Sequence, residues 1–166
     1  MAGAPAFTPA WLLYARQDIG VRELKGAPTN ERIAAWLYSL GAWWRDDETP
    51  WCGLAVAAWM QATGHPLPNH WYRARAWLQW GTPLSSPAQG CVVVFERDGG
   101  GHVGLVEAMD DTGRLLVLGG NQRDAVSVAP FETSRVLGYR WPPAIPLPSA
   151  PLKVIASRAA SSTNEA

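Results

Sequence analysis

The sequence predicts an α+β domain in which N-terminal helices pack on an antiparallel C-terminal sheet. Three observations carry that prediction. Apolar residues recur at helical spacing through the first half of the 166-residue chain, short β-branched runs bounded by turn residues fill the second half, and the period changes once, in a Gly/Pro/Ser loop at 81–90. The length suits one domain, and 48% hydrophobic content is enough for one core.

The first helix is expected over 8–20, with Thr8 as its cap, Pro9 in its first position and Gly20 at its end. Its apolar stripe is Trp11, Leu12, Tyr14, Ala15 and Ile19. A second helix is expected over 29–40, capped by Thr29 or Asn30 and stopped by Gly41, with Ile33, Trp36, Leu37 and Leu40 on one face. After the polar loop 45–49, Pro50-Trp51-Cys52 opens a third helix over 53–62 that has almost no polar face. A helix apolar all round is a buried one. A short helix follows around 71–79.

Strands are expected at 91–95, 102–109, 114–118, 125–128 and 136–141. The domain is assigned to residues 1–141. From Pro142 a Pro/Ala/Ser-rich tail, 142–166, reads as an extended segment without a core of its own.

Charge and composition exclude several classes of function. Fourteen basic and 14 acidic side chains balance to zero and the Lys and Arg are scattered, so the electrostatic footprint that nucleic acid or an anionic membrane requires is missing. Two cysteines cannot build a disulfide scaffold, although a single bridge is arithmetically possible. Cys52, His65 and His70 match no zinc spacing, and neither CxxC nor HExxH occurs. No metal and no cofactor is expected. No apolar run approaches the length of a membrane span, and the N-terminus shows no secretory signal; synthesis in the cytoplasm is the expectation, and so is a monomer.

A register argument picks out candidate chemistry. If 110–113 forms a four-residue hairpin loop, Met109 pairs with Arg114, and the same register sets His102 opposite Asn121 and Gly104 opposite Gly119. Directly opposed residues share a face with Cβ atoms about 5 Å apart. The paired glycines leave a dent into which the N-terminal end of the third helix, carrying Cys52, is expected to fit. At a helix start the thiol pKa is expected to be lowered. Cys52, His102 and Asn121 then read as nucleophile, base and orienting group for attack on an amide or ester carbonyl, with a plain turn role for Asn121 as the alternative. Cys91, opening an apolar strand, reads as structural.

The blocks Thr49-Pro50-Trp51-Cys52-Gly53, Cys91-Val92-Val93-Val94-Phe95, Gly101-His102-Val103-Gly104-Leu105-Val106 and Gly119-Gly120-Asn121-Gln122 resemble the CHAP family of cysteine, histidine-dependent amidohydrolases/peptidases and the related NlpC-type cell-wall peptidases. The likeness runs from about residue 10 to about 141. It implies a papain-like cysteine hydrolase fold and cleavage of an amide bond in peptidoglycan, either as an N-acetylmuramoyl-L-alanine amidase or as a stem or cross-link endopeptidase, with Cys52, His102 and Asn121 as catalytic residues. Many CHAP members carry an acid two places before the position of Asn121; here Gly119 stands there, which favours a plain triad. The strand that often begins Gly-Asp begins Gly90-Cys91.

Trp51 and Glu48, beside Cys52, are the candidate substrate-binding residues, with Trp43, Trp44 and Trp71 as further aromatic surface in loops or at helix starts. Trp11, Trp36 and Trp59 belong to helical stripes and to the core. The biological role that the resemblance suggests is a phage-type endolysin, acting on the cell wall after release. A secreted antibacterial toxin of the same chemistry and a non-catalytic wall-binding or tail module are the alternatives.

Overall fold

The computed structural model describes residues 7–26, 28–45 and 50–157. Among these, three α-helices, α1 (Ala10–Arg16), α2 (Glu31–Ser39) and α3 (Cys52–Ala62), precede a sheet of seven strands, with a 3₁₀ segment at Ala74–Gln79 between them. The strands are β1 (Thr82–Leu84), β2 (Val92–Arg97), β3 (Gly100–Asp110), β4 (Leu115–Gly119), β5 (Ser127–Phe131), β6 (Val136–Trp141) and β7 (Val154–Ile155). Their order is β1-β6-β2-β3-β4-β5, antiparallel throughout, with β7 running parallel to β3. The expected α+β architecture is present.

α3 organises the layers. Every residue from Cys52 to Met60 is buried, so the helix must be enclosed on all sides. It packs on β3 and β4 from one side, and α1 and α2 cover it from the other. Asp18, just after α1, ties the three helices together. Its carboxylate accepts from Trp59 Nε1 at 2.8 Å and from Arg32 Nε at 2.8 Å. The carboxylate of Glu107 on β3 takes Arg16 of α1 at 2.8 and 2.6 Å, a two-pronged pair that fixes α1 to the sheet. Glu107 therefore faces a helix.

Several boundaries differ from the sequence expectation, each for a local reason. α1 begins at Ala10 because the Pro9 carbonyl takes the Leu12 and Leu13 N–H groups, and no side chain caps it. α2 is capped by Asn30, whose side chain accepts from Arg32 and Ile33 N–H. Two strands come from segments that carry no strand pattern. β1 lies in the Gly/Pro/Ser loop and pairs with β6, and β7 lies in the tail. The tail set apart at Pro142 joins the sheet through backbone bonds from Met109 N–H to the Lys153 carbonyl and from Asp111 N–H to the Ile155 carbonyl. Ile145 and Leu152 also pack against the core.

The β3–β4 hairpin shows two departures that cancel. Met109 pairs with Leu115 instead of Arg114, because Asp110 closes a longer loop by accepting hydrogen bonds from the N–H groups of Thr112 and Arg114, from the Thr112 hydroxyl and from Arg114 Nε. A bulge at Glu107, between Val106 and Ala108, then restores the expected register, so Val106 faces Val117 and Leu105 faces Leu118.

Burial pushes the Asp110 carboxyl up, but its hydrogen bonds from Thr112 and Arg114 overcome this and hold it at about 2. A carboxyl whose pKa is lower folded than unfolded stabilises the fold above its unfolded value of about 3.9, and that contribution is lost as pH falls towards the folded value. The stability difference between wild type and Asp110→Asn is therefore expected to be largest above about pH 4 and to shrink as pH falls to about 2, as measured by urea denaturation across a pH series.

Candidate active site

Cys52 is the first residue of α3 and is 6% exposed. The N–H groups of a helix's first turn have no partner within the helix, and here they surround a thiol enclosed by protein. Burial pushes the Cys52 thiol above its ordinary value, and the backbone N–H of Val103, the charge of Arg97 and the N–H of Gly53 act against that without reversing it. The lowered pKa expected from the helix start is thus not what the structure gives: desolvation outweighs the helix end. At neutral pH the resting group is the thiol, and a base must take its proton. Cys91 is buried at the start of the β2 segment, and burial pushes its thiol up to about 12.

The imidazole of His102, on β3, is fully buried and lies one residue before Val103, whose N–H touches the Cys52 thiol. Its ring lies flat against Phe131, with centroids 5.3 Å apart and planes 11° apart, and stacks on Phe95, its partner across the β2–β3 ladder. Two aromatic faces hold the imidazole in one plane.

The group that meets the imidazole is Gln122, not Asn121. His102 Nε2 and Gln122 Oε1 are 2.9 Å apart. Gln122 Nε2 donates to the carbonyls of Ser127 (2.8 Å) and Val117 (3.2 Å). A backbone carbonyl can only accept, so these bonds fix which end of the amide is nitrogen. Oε1 is then an acceptor, His102 Nε2 is its donor, and the basic lone pair of the neutral ring is on Nδ1. The carboxamide sets the tautomer.

Asn121 fails the expected role because β4 ends at Gly119, two residues short of the position opposite His102. Asn121 itself turns the chain at φ 59°, and neither polar atom of its buried side chain has a partner among the described residues. Asn accepts this left-handed conformation more readily than Gln. The pair Asn121-Gln122 therefore contained a usable signal: the first carboxamide suits the turn and the second is free to reach back.

The glycine dent is also filled differently. A Cβ on Gly104 would lie 2.5 Å from Val117 Cγ1, and one on Gly119 would lie 2.3 Å from Gln122 Oε1 and 3.3 Å from His102 Nε2. The dent makes room for the Gln122–His102 contact. α3 instead approaches Gly120, where a Cβ would lie 2.7 Å from Ala55 Cβ and 2.8 Å from the Trp51 ring. The segment after α1 clamps this loop from outside, with Glu23 N–H bonded to the Asp124 carbonyl and Val126 N–H to the Val21 carbonyl.

Trp51, the expected substrate contact, is fully buried, and its Nε1 donates to Glu23 Oε2 at 3.0 Å. Its ring is core because it fills the angle between α2, α3 and the Gly120 loop. Glu48 lies outside the described residues. The exposed aromatic surface belongs to Trp43, 69% exposed, which contacts Trp44 and Tyr72 at ring distances of 4.8 and 4.5 Å. Trp11, Trp36 and Trp59 are buried, as their helical stripes predict. His65 packs edge-on against Trp11, and His70 bonds the Tyr72 hydroxyl.

Among the described residues no group of three or more His, Cys, Asp or Glu could hold a metal ion, and no helix is long and apolar enough to cross a membrane. Residues 42–121 match the CHAP domain family model, a span that includes Cys52, His102 and Asn121 and ends one residue before Gln122. No curated protein and no solved structure matches the chain.

Two measurements check this geometry. Nitrogen-15 NMR of the imidazole is expected to show His102 as the Nε2–H tautomer, with that preference weakened in Gln122→Ala and kept in Asn121→Gly. Because burial raises the Cys52 pKa, alkylation by iodoacetamide is expected to rise with pH with a midpoint above the roughly 8.5 of a free cysteine. Peptide mass mapping should find Cys91 unmodified throughout.

Proposed function

We propose, from the match of residues 42–121 to the CHAP domain, a family in general of cysteine- and histidine-dependent amidohydrolases and peptidases, that this is a peptidoglycan hydrolase cutting an amide bond. The observation that carries the reading is the fixed polarity of the Gln122–His102 contact next to a helix-start thiol. With Nε2 donating to Gln122, the ring's basic nitrogen is Nδ1, the form a general base requires.

In this reading the substrate carbonyl enters beside Cys52. His102 Nδ1 takes the thiol proton as Sγ bonds to the carbonyl carbon, and the carbonyl π pair becomes an oxyanion. N–H groups at the start of α3, that of Cys52 among them, receive the negative charge. The C–N bond then breaks and His102 returns the proton to the leaving amine. Water attacks the thioester with His102 as base. A new carboxyl forms, and Sγ leaves with the proton.

In this reading Gln122 is a positioning residue: by accepting from Nε2 it leaves Nδ1 as the basic nitrogen that takes the thiol proton. As a neutral amide it holds the imidazolium less strongly than a carboxylate would. The thiol is therefore deprotonated in step with attack, in keeping with its raised resting pKa. A thiol at a helix start and an imidazole on a neighbouring strand are what a papain-like hydrolase would use, and that is the fold this reading implies.

Cys52→Ala is expected to abolish clearing of purified cell walls while leaving the circular dichroism spectrum unchanged. Gln122→Ala is expected to lower kcat about 10²-fold, a typical contribution from correct acid–base placement, with little change in KM, and to lose more than Asn121→Gly does. Undiminished lysis by Cys52→Ala would overturn the enzymatic reading in favour of a wall-binding module.

A further inference from the structure

The aromatic residues left over by the core gather in one place. Trp43, Trp44, Trp71 and Tyr72 form a continuous ring cluster, with centroid distances of 4.8 Å for Trp43–Trp44, 4.5 Å for Trp43–Tyr72, 5.9 Å for Trp44–Trp71 and 5.6 Å for Trp71–Tyr72. The cluster reaches solvent, with Trp43 the most exposed of the four and Trp44, Trp71 and Tyr72 half-buried. Arg73 lies over the Tyr72 ring at 5.6 Å. Large exposed aromatic surface is costly to leave in water and marks an interaction site.

Its place in the fold ties it to the candidate active site. The 71–72 backbone is pressed against Gly53, the residue after Cys52: a Cβ there would lie 2.6 Å from the Trp71 carbonyl oxygen and 2.8 Å from that of Tyr72. Only a glycine permits this approach. The backbone that carries Trp71 and Tyr72 therefore abuts the start of α3, one residue from Cys52.

We infer that Trp43, Trp44, Trp71 and Tyr72 form a saccharide platform that seats the glycan strand beside Cys52, and that the bond cut is the amide joining the lactyl group of muramic acid to the first stem residue. This rests on the peptidoglycan-hydrolase reading. The two halves of the substrate offer different surfaces. Pyranose rings present flat C–H faces of the size of an indole, whereas the stem peptide consists mainly of small and charged residues with little to cover four aromatic rings. The glycan is the half that matches.

Reach then selects the bond. An extended chain spans at most about 3.3–3.6 Å per residue, so a cross-link four residues down the stem is on the order of 13 Å from the sugar. The muramoyl amide is the one bond directly attached to it. A platform whose backbone abuts Gly53 would bring that amide, rather than the cross-link, to the Cys52 thiol. The amine of the first stem residue leaves with the proton from His102, and water leaves the lactyl carboxylate on the glycan.

Purified sacculi digested with the wild-type protein are expected to release stem peptides with a free amino group on the first residue, identified by dinitrophenylation and mass spectrometry. Trp43→Ala and Tyr72→Ala are expected to reduce kcat/KM on sacculi at least tenfold, mostly through KM. They should also weaken binding of peptide-free glycan strands measured by titration calorimetry, and Trp43→Ala should leave the melting temperature unchanged. New amino groups only at the cross-link, or full activity and glycan binding in both variants, would overturn this inference while leaving the hydrolase reading intact. Absence of any new amino or carboxyl group would overturn both.

Discussion

The structure depends on the enclosure of α3. A helix with no polar face from Cys52 to Met60 is stable in water only when covered on every side. The rest of the molecule supplies that cover: β3 and β4 below, α1 and α2 above, and the Gly120 loop at its start. Burying a large apolar side chain contributes about 1.5–3 kcal/mol, so Leu54, Val56, Trp59 and Met60 make this helix a major stabilising unit. Because the same residues position Cys52, the site inherits the rigidity of the core.

Enclosure also sets the chemistry. The burial that fixes the thiol raises its pKa, against the pull of the Val103 N–H, Arg97 and the Gly53 N–H. A helix end is worth typically 0.3–1 kcal/mol to a charge near the surface, and desolvation of a fully buried group exceeds that readily. The site answers with a histidine whose tautomer is set by an amide, the amide by two carbonyls, and the carbonyls by the sheet. Each link is a hydrogen bond whose direction the chemistry of its partner dictates. The turn that delivers Gln122 carries its own cost: Asn121 keeps two buried polar atoms without partners among the described residues, at roughly 1–3 kcal/mol for each such group.

Much of this was legible beforehand, and the failures share one cause. Periodicity identifies α2 and α3, and β-branched runs identify β2, β3, β4 and β6, because these signals are local, whereas β5 (Ser127–Phe131) starts two residues later than the strand expected at 125–128. Leu105 faces Leu118, as a four-residue hairpin loop predicts, because the bulge at Glu107 compensates for the longer Asp110 loop. The same register does not reach Asn121, since β4 ends at Gly119. Adjacency of Trp51 to Cys52 along the chain predicts a place in the cleft, whereas the helix start turns that ring inward. β1 and β7 carry no strand pattern; they are strands only because β6 and β3 have free edges for them.

The sequence by itself determined the α+β class, the buried helix and the opening of that helix by Cys52. These follow from hydrophobic period and turn chemistry, which act over a few residues. Only the tertiary structure decided which carboxamide meets the imidazole, which way the Cys52 pKa moves, and which tryptophans face water. Each of those depends on what lies across space from a residue: a backbone carbonyl that orients an amide, protein that displaces water from a thiol, a neighbouring loop that covers a ring. No spacing along the chain encodes them.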